Sequence, residues 1–241
     1  MADNPTTWSV IIPVWNQVHL SSKLLECLDA DPSPGREVVW VDNGSSDGTV
    51  ELLDRLAARP DHKVIRFPEN RGFGVAMNAG VAASSGAAVV LLNNDTAPSP
   101  GLLKGLVDAL EANPAFGIVI PRYTNAGLGF NVHPKADTAR GLQALARFGQ
   151  YPSGVCYVMP RELFDEVGGF DTETFELASG EDADLCYKVW AAGRQIAVHH
   201  GWCLEHLWAG TSKKLPGKTK LWRKNAKRFW KKWEGFDKGK T

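Results

Sequence analysis

The stretch WSVIIPV at residues 8–14 decides the fold, because it joins β-branched and apolar side chains with a closing proline. A run that is apolar on both faces is typical of a strand buried inside a sheet. Similar runs follow at 37–41, 64–67 and 87–92, and helical periodicity separates them at 19–29, 49–58, 74–83 and 102–112. This alternation predicts an α/β protein, in which helices cover both faces of a mostly parallel central sheet.

The second half of the chain is less regular but continues the same pattern. It predicts strands at 117–120, 155–159 and 195–199 and helices at 139–148 and 181–192. No linker rich in Pro, Gly or Ser divides it, so we expect one domain over 1–212 and a tail over 213–241. Ligands of such sheets bind beyond the carboxyl ends of the strands, which places the chemistry in the loops after Val41 and Leu92.

The net charge of zero hides an uneven distribution. Residues 213–241 hold 12 basic and 2 acidic residues, a net charge of +10, which leaves −10 on residues 1–212. With 44% hydrophobic and 22% charged residues the body can fill a core, which excludes wholesale disorder. No apolar run approaches the ~18 residues of a membrane span, and the polar start is unlike a secretory signal. Four scattered cysteines without a CxxC pair predict reduced thiols, no zinc site and a cytoplasmic location.

The loop after the second strand reads VDNGSSDGT, residues 41–49. A carboxylate at the end of a strand, followed by small hydrogen-bonding residues and a helix start, suits a nucleotide. Asp42 would accept a hydrogen bond from a pyrimidine N–H or a ribose hydroxyl. The alternative is a simple turn in which Asp47 caps the helix. We favour the nucleotide interpretation for Asp42 and the structural one for Asp47.

The loop after the fourth strand reads NNDT, residues 93–96. Its carboxylate, flanked by amides, can hold a hard divalent cation that also binds a diphosphate, because Mg²⁺ or Mn²⁺ uses only one or two protein carboxylates and keeps several waters. The alternative is a polar turn that caps a helix starting near residue 99. The stretch EHLWAGTS at 205–212 adds His206, which is either an ordinary histidine or a further metal ligand through a neutral imidazole nitrogen.

Three acids open the helix predicted at 181–192, in the stretch GEDADLCY at 180–187. The helix dipole favours acids in a first turn and explains one or two of them. A cluster of three suggests that one carboxylate is available as a general base. Asp182 is better placed to face the site, whereas Asp184 is expected to be structural.

Taken in their order along the chain, these four segments resemble the inverting family 2 glycosyltransferases, which have the Rossmann-like, three-layer GT-A fold. The resemblance is strongest to the rhamnosyltransferase-like subset. Three further stretches carry the resemblance: SVIIPVWN at 9–16 is similar to the first strand of the family, ENRGFGVAMNAG at 69–80 to its donor-site helix, and GGFD at 168–171, followed by the Glu-Asp pair, to its acceptor-side signature. The resemblance covers roughly residues 8–212, and its specificity lies in the ordered set of motifs.

The resemblance implies an enzyme that moves a sugar from a UDP- or dTDP-linked donor to a hydroxyl of a glycan, lipid-linked or other macromolecular acceptor. Asp182 would be the catalytic base, and Asp95 and His206 would contact the divalent cation, Mn²⁺ or Mg²⁺. Asn93 stands where the metal motif of the family has its first aspartate. The residues implied in nucleotide-sugar binding are Pro13, Val14, Asn16, Asp42, Asn43, Arg71, Asn78, Asn93, Asn94 and Glu181.

The tail carries an aromatic stripe at helical spacing over 219–233, surrounded by basic residues. Three interpretations remain open. The helix docks its stripe on the acidic body, lies on anionic lipid at the inner face of the membrane, or contacts nucleic acid. The second interpretation would suit a lipid-linked acceptor.

Two other functions fit parts of the pattern. A sugar nucleotidyltransferase would need a Gly-rich, basic phosphate loop after the first strand, where this chain has VWNQ at 14–17. A nucleic-acid- or membrane-binding protein with a degenerate glycosyltransferase-like body is favoured by Asn93 and opposed by the intact acids. A Rossmann dehydrogenase is excluded, because no GxGxxG follows the first strand.

Overall fold

A computed structural model describes residues 8–31, 33–124, 141–145, 151–177, 179–207 and 218–236. The strands are β1 Trp8–Val14, β2 Arg36–Asn43, β3 His62–Phe67, β4 Ala88–Leu92, β5 Thr96–Ala97, β6 Phe116–Tyr123, β7 Leu142–Ala144, β8 Cys156–Pro160 and β9 Gln195–His206. The helices are α1 Val18–Asp29, α2 Thr49–Leu56, α3 Phe73–Ala83, α4 Leu102–Glu111, α5 Arg161–Glu166, α6 Glu181–Ala191 and α7 Lys218–Lys232.

The strands form one path in the order β3-β2-β1-β4-β8-β6-β9-β5, with β7 paired to β9. Strands β3, β2, β1 and β4 are parallel, β8 is antiparallel to both β4 and β6, and β9 is parallel to β6. Six strands therefore point in one direction, as the mostly parallel sheet predicted from the sequence requires. The pairings Val14↔Asp42 and Ile11↔Leu91 bring the loops after β1, β2 and β4 to the same edge.

Helices cover both faces of this sheet, which gives the three predicted layers. One core cluster contains buried leucines of α1, α2 and α4, and the other contains apolar residues of α3, α5, α6 and α7. The small residues of α3 have a steric reason: a Cβ at Gly80 would collide with Ile11 and lie 3.0 Å from Val41. This close approach holds α3 against β1 and β2 and fixes the loop that precedes it.

The secondary structure predicted from the sequence is wrong at one helix, ends one strand too early and misses two short elements. The helix predicted at 139–148 is contradicted, because Leu142–Ala144 is strand β7, antiparallel to β9; residues 139, 140 and 146–148 lie outside the described part. Strand β9 runs on to His206 instead of ending near residue 199. The short elements β5 and α5 were not expected. Among the described residues, no helix is long and apolar enough to cross a bilayer.

Candidate active site

Asp42 lies at the carboxyl end of β2, and the loops after β1 and β2 are joined beside it. The Asp42 carboxylate is buried and accepts a hydrogen bond from the backbone N–H of Ser45 at 2.8 Å. Asn16, which has a positive φ of 56°, donates its N–H to Ser45 Oγ and accepts the N–H of Ser46. Val14 pairs with Asp42 in the sheet, and Pro13 precedes it. The structure thus brings these four predicted donor-site residues to one place.

Asp47 has a structural role, but the N-cap of α2 is Gly48 rather than Asp47 as expected. Its two carboxylate oxygens accept the backbone N–H groups of Val18, at 3.2 Å, and Thr49, at 3.0 Å, which are the first residues of α1 and α2. Burial would raise the pKa of this carboxyl, but its hydrogen bonds outweigh burial and lower the pKa.

Asn43 holds the backbone of Arg71 in place through a hydrogen bond. Its Oδ1 accepts the N–H of Arg71 at 2.8 Å, and its Nδ2 donates to Asn70 Oδ1 and to the Gly72 carbonyl. The exposed Arg71 guanidinium lies 5.1 Å from the centre of the Phe67 ring. Arg71 and Gly72 line a groove of about 310 Å³ between the start of α3 and residues 172–177.

Two further asparagines are occupied by structural bonds. Asn78 Nδ2 donates to the Phe170 carbonyl and its Oδ1 accepts the Phe170 N–H, both at 2.9 Å. Asn94 is buried and donates to Ser21 in α1 at 3.1 Å. We therefore interpret Asn43, Asn78 and Asn94 as residues that position loops, and their direct contact with a donor stays a prediction.

Asp95 and His206 meet where β5 pairs with the end of β9. His206 Nε2 lies 3.1 Å from Asp95 Oδ1, and both residues are more than nine-tenths buried. The pairing Thr96↔His206 and a bond from the Leu207 N–H to the Asp95 carbonyl fix this arrangement. Both candidate metal contacts named from the sequence therefore lie together.

The possible metal ligands around Asp95 fit a hard cation that keeps part of its hydration shell. Within the described residues, no group of three or more His, Cys, Asp and Glu side chains clusters as a complete cage. Asn93 Oδ1 is a buried oxygen without a hydrogen-bond partner in the described part of the chain. One carboxylate, one imidazole and an amide oxygen suit Mn²⁺ or Mg²⁺, which take their remaining ligands from water and phosphate.

The first turn of α6 presents two acids in different settings. Asp182 is half-buried; its Oδ1 accepts the N–H of Ala183 at 2.8 Å and its Oδ2 that of Gly154 at 3.3 Å. Burial raises the pKa of Asp182. Glu181 is buried, its Oε2 has no partner among the described residues, and burial and the neighbouring Asp182 raise its pKa. Both carboxyl groups thus hold a proton more readily than an exposed acid.

A short backbone segment links this helix to residues 93–95, called the metal loop below because they include the candidate cation contact Asp95. Gly154 contacts Asp182, and the carbonyl of the next residue, Val155, accepts the N–H of Asn93 at 2.9 Å. A Cβ at Gly154 would lie 3.1 Å from Asp182 Cβ, which favours glycine there. Residues 154–155 are therefore hydrogen-bonded both to the candidate base and to the loop of the candidate cation site.

Asp184 is structural, as the sequence suggested, and its hydrogen-bond partners Lys232 and Trp233 lie at the end of α7 and just beyond it, while Lys188 of α6 pairs with it at 3.6 Å. The fully buried carboxylate accepts hydrogen bonds from Lys232 Nζ at 3.0 Å and Trp233 Nε1 at 2.9 Å, and Lys232 also binds Asp171. The buried Asn225 donates to the carbonyls of two residues in the loop before α6. Neither the pairing of Lys232 nor the burial of Asn225 was predicted from the sequence. The one signal was that Asn225, a polar residue, lies on the aromatic side of the predicted helix.

Residues 9–168 match the glycosyl transferase family 2. The chain is 30% identical over 197 residues to the pre-mycofactocin glycosyltransferase of Mycobacterium tuberculosis (strain ATCC 25618 / H37Rv), a match that covers 78% of this chain and 40% of that protein. The chain thus spans less than half the length of this curated relative.

Solved structures share the fold at low sequence identity. The mannosyltransferase PcManGT from Pyrobaculum calidifontis, in complex with GDP-Man and Mn²⁺, superposes with a TM-score of 0.69 at 21% identity, covering 97% of this chain and 65% of that one. Staphylococcus aureus TarS 1-349 in complex with UDP-GlcNAc gives a TM-score of 0.69 at 17% identity, covering 98% and 76%. With the GT-A architecture shared and two thirds of its length matched by one family, this chain belongs to glycosyl transferase family 2.

Proposed function

We propose that this chain transfers a sugar from a nucleotide-sugar donor to an acceptor hydroxyl, with inversion at the anomeric carbon and the help of a divalent cation. The observation that carries the proposal is the link between Asp182 and the metal loop through residues 154–155. It connects a carboxylate of raised pKa to the loop that contains Asp95 of the buried Asp95–His206 pair, and ligands of such sheets bind beyond the carboxyl ends of the strands.

The nucleotide would bind across the ends of β1 and β2. Asp42 Oδ1 accepts the Ser45 N–H, and its Oδ2, which has no hydrogen bond from the described residues, suits a base N–H or a ribose hydroxyl. Arg71 is exposed at the mouth of the groove and can pair with diphosphate oxygens. Asn43 holds the backbone of Arg71 in place for this role.

Asp95 and His206 would hold the cation, with Asn93 as a further oxygen donor in the same turn. When bound, the ion supplies positive charge that stabilises the negative charge developing on the leaving diphosphate. The burial of both side chains keeps water from competing with the donor for this position.

Asp182 would take the proton of the acceptor hydroxyl as its oxygen attacks the anomeric carbon. A raised pKa strengthens a carboxylate as a base near neutral pH, provided that it is still ionised there. A single displacement breaks the bond to the diphosphate and inverts the configuration, so no covalent nucleophile is needed. Glu181 beside it would line the sugar pocket.

The identity of donor and acceptor is left to experiment. The resemblance implies a UDP- or dTDP-linked donor and is strongest to the rhamnosyltransferase-like subset, whereas the solved structures of the same fold hold UDP-GlcNAc and GDP-Man. A glycan, lipid-linked or other macromolecular acceptor and a cytoplasmic location stay predictions, as does the division into a domain of 1–212 and a tail.

A donor screen tests the proposal. Release of nucleotide diphosphate from UDP-, dTDP- and GDP-sugars would be followed with Mn²⁺, with Mg²⁺ and with EDTA, beside the Asp182→Asn variant. We expect slow hydrolysis of one donor class that requires the cation. Turnover of no donor, together with no donor binding by calorimetry, would overturn the proposal.

A further inference from the structure

Helix α7 has two faces, and the inner face is fixed to the body. Phe229 is buried against Tyr187, with ring centres 4.9 Å apart, and Asn225 is fully buried. Three of the cations of the helix end on body carboxylates: Lys224 and Arg228 on Glu176, and Lys232 on Asp171 and Asp184. The helix is therefore held in one orientation.

The outer face of α7 carries cations of a different kind. Lys220, Arg223, Lys227 and Lys231 are exposed and make no ion pair with any described residue. Their spacing of three, four and four residues places them on one stripe, on the side of the helix away from Phe229. The only acid near the end of this stripe is Glu234, just beyond the helix, in the part of the chain that the structure describes.

Two exposed indoles lie on this helix, and Trp230 borders the stripe, whereas Trp222, seven residues before Phe229, lies on the side of Phe229. Trp222 is 51% exposed and Trp230 is 61% exposed. Together with Leu177 they are the exposed large hydrophobic side chains of the described residues, so two of three lie on this one helix. Exposed tryptophan beside lysine and arginine is the pattern of a surface that meets the headgroup region of a bilayer.

We propose that the outer face of α7, formed by Lys220, Arg223, Lys227, Trp230 and Lys231, docks on an anionic lipid bilayer. The four cations would approach lipid phosphates while the indole of Trp230 enters the interface, with the helix parallel to the membrane plane. Because the inner face already holds the helix folded, binding needs no coil-to-helix transition.

Charge complementarity selects this partner and orients the protein on it. The net charge of −10 on residues 1–212 is repelled by an anionic surface, whereas the +10 of residues 213–241 is attracted, so α7 faces the lipid. The outer face is a convex helix surface, which suits a flat bilayer. Nucleic acid that stacks on aromatic rings is held in a groove instead.

Co-sedimentation of the 241-residue chain with vesicles tests the proposal without a nucleotide sugar, so its outcome is independent of the proposed function. The vesicles would be phosphatidylcholine with and without phosphatidylglycerol. Arg223→Glu and Lys227→Glu reverse charges on the outer face. Arg55→Glu is the matched control, because Arg55 is also exposed, has no ion pair with a described residue, and lies on α2, in the layer on the other side of the sheet.

We expect binding only to vesicles with phosphatidylglycerol, weakened by added salt, and lowered roughly tenfold by Arg223→Glu or Lys227→Glu but not by Arg55→Glu. Trp230→Ser should weaken binding while leaving its salt dependence unchanged. Thermal unfolding would establish that each variant is folded. Absence of vesicle binding, equal binding to neutral vesicles, equal loss in Arg55→Glu, or binding of a single-stranded oligonucleotide in place of vesicles would overturn the proposal.

Discussion

His206 Nε2 lies 3.1 Å from Asp95 Oδ1, although 111 residues separate them in the chain. The contact exists because β9 runs past the end of the main sheet to pair with β5. Among the residues that the structure describes, neither belongs to a group of three or more His, Cys, Asp and Glu side chains, so a cation proposed here would need ligands from elsewhere to complete its coordination shell. A diphosphate with a divalent cation has that chemistry.

His206→Ala should weaken the apparent affinity for Mn²⁺ at least about tenfold, since it removes one of the buried contacts proposed for the ion. The measurement is the dependence of nucleotide release on Mn²⁺ concentration. His19→Ala is the control, because His19 is exposed on α1. An unchanged Mn²⁺ dependence in His206→Ala would remove His206 from the cation site.

Asp182→Asn should lower kcat of transfer by roughly 10²–10⁴-fold with little change in donor KM, the range for loss of a general base. Asparagine keeps the oxygen that accepts the Ala183 N–H, so the fold of the first turn of α6 is retained. Wild-type rates in this variant would reassign the base.

The pH profile of the wild type gives a second measure of the same residue. The base works when deprotonated, and burial raises the pKa of Asp182 above its ordinary value of 3.8. The acid limb of kcat/KM should therefore lie above that pH, and activity should rise as the carboxyl loses its proton. A limb at or below pH 3.8 would contradict a base whose pKa is raised by burial.

Glu181→Gln should stabilise the protein near pH 8 and have little effect near pH 4.5. Burial and Asp182 raise the pKa of Glu181 from 4.5 to about 8, so the folded state holds a proton that the unfolded chain releases, and stability falls as pH rises between these values. Glutamine is neutral throughout. The expected gain in Tm near pH 8 is about 2–4 °C for each kcal/mol gained in the free energy of unfolding. If the Tm of the variant equals that of the wild type at every pH, Glu181 does not have a raised pKa in the folded protein.

Lys232→Ala should lower the free energy of unfolding by about 1–2 kcal/mol, because it leaves the buried Asp184 with a weaker set of partners. Lys231→Ala is the control, since the neighbouring side chain is exposed and makes no ion pair with a described residue. Urea unfolding followed by tryptophan fluorescence measures both. Equal effects of the two variants would show that the ion pairs of Lys232 do not anchor α7.

Acid titration tests the same anchor by its pH dependence. Burial would raise the pKa of Asp171, but hydrogen bonds from Lys232 and Thr174 outweigh it and hold the pKa well below the ordinary value. The stabilisation is therefore present above the unfolded value of 3.8 and is lost as pH falls below it. Lys232→Ala should lose less stability between pH 5 and pH 2 than the wild type, by roughly 1 kcal/mol.

Asn43→Ala should raise donor KM about tenfold with a smaller effect on kcat, since three hydrogen bonds that hold residues 70–72 are lost. Asn43→Asp keeps the acceptor for the Arg71 N–H and should show an intermediate KM. If both variants bind the donor as tightly as the wild type, Arg71 is not positioned through Asn43.

The sequence predicted the strands correctly where the residues of the strand itself, apolar runs bounded by proline or polar residues, define it. Strand β1 matches the run 8–14 at both ends, because buried apolar residues and Pro13 leave little choice. The error at 139–148 has a tertiary cause. Leu142–Ala144 has helical propensity, yet it pairs with β9 and becomes a strand. No local pattern could show that β9 offers this edge.

The sequence predicted that some candidate site residues meet, but not which hydrogen bonds they make. Asp95 and His206 lie together, as expected from their motifs, and their role as cation contacts stays a prediction. The bonds of Asn43 and Asn78 were out of reach, since an asparagine in a motif looks the same whether it binds a ligand or a backbone. The docking of α7 depends on long-range pairs such as Lys232 with Asp184, which composition alone left as one of three interpretations.

The most direct measurement of the central claim is nucleotide release by the wild type and by Asp95→Asn across a range of Mn²⁺ concentrations. Asparagine keeps the size of the side chain and removes its charge, so folding is retained while the cation site loses its carboxylate. We predict saturable, EDTA-sensitive release by the wild type and a loss of roughly 10²-fold or more in Asp95→Asn. Equal, cation-independent release by both proteins would contradict the account.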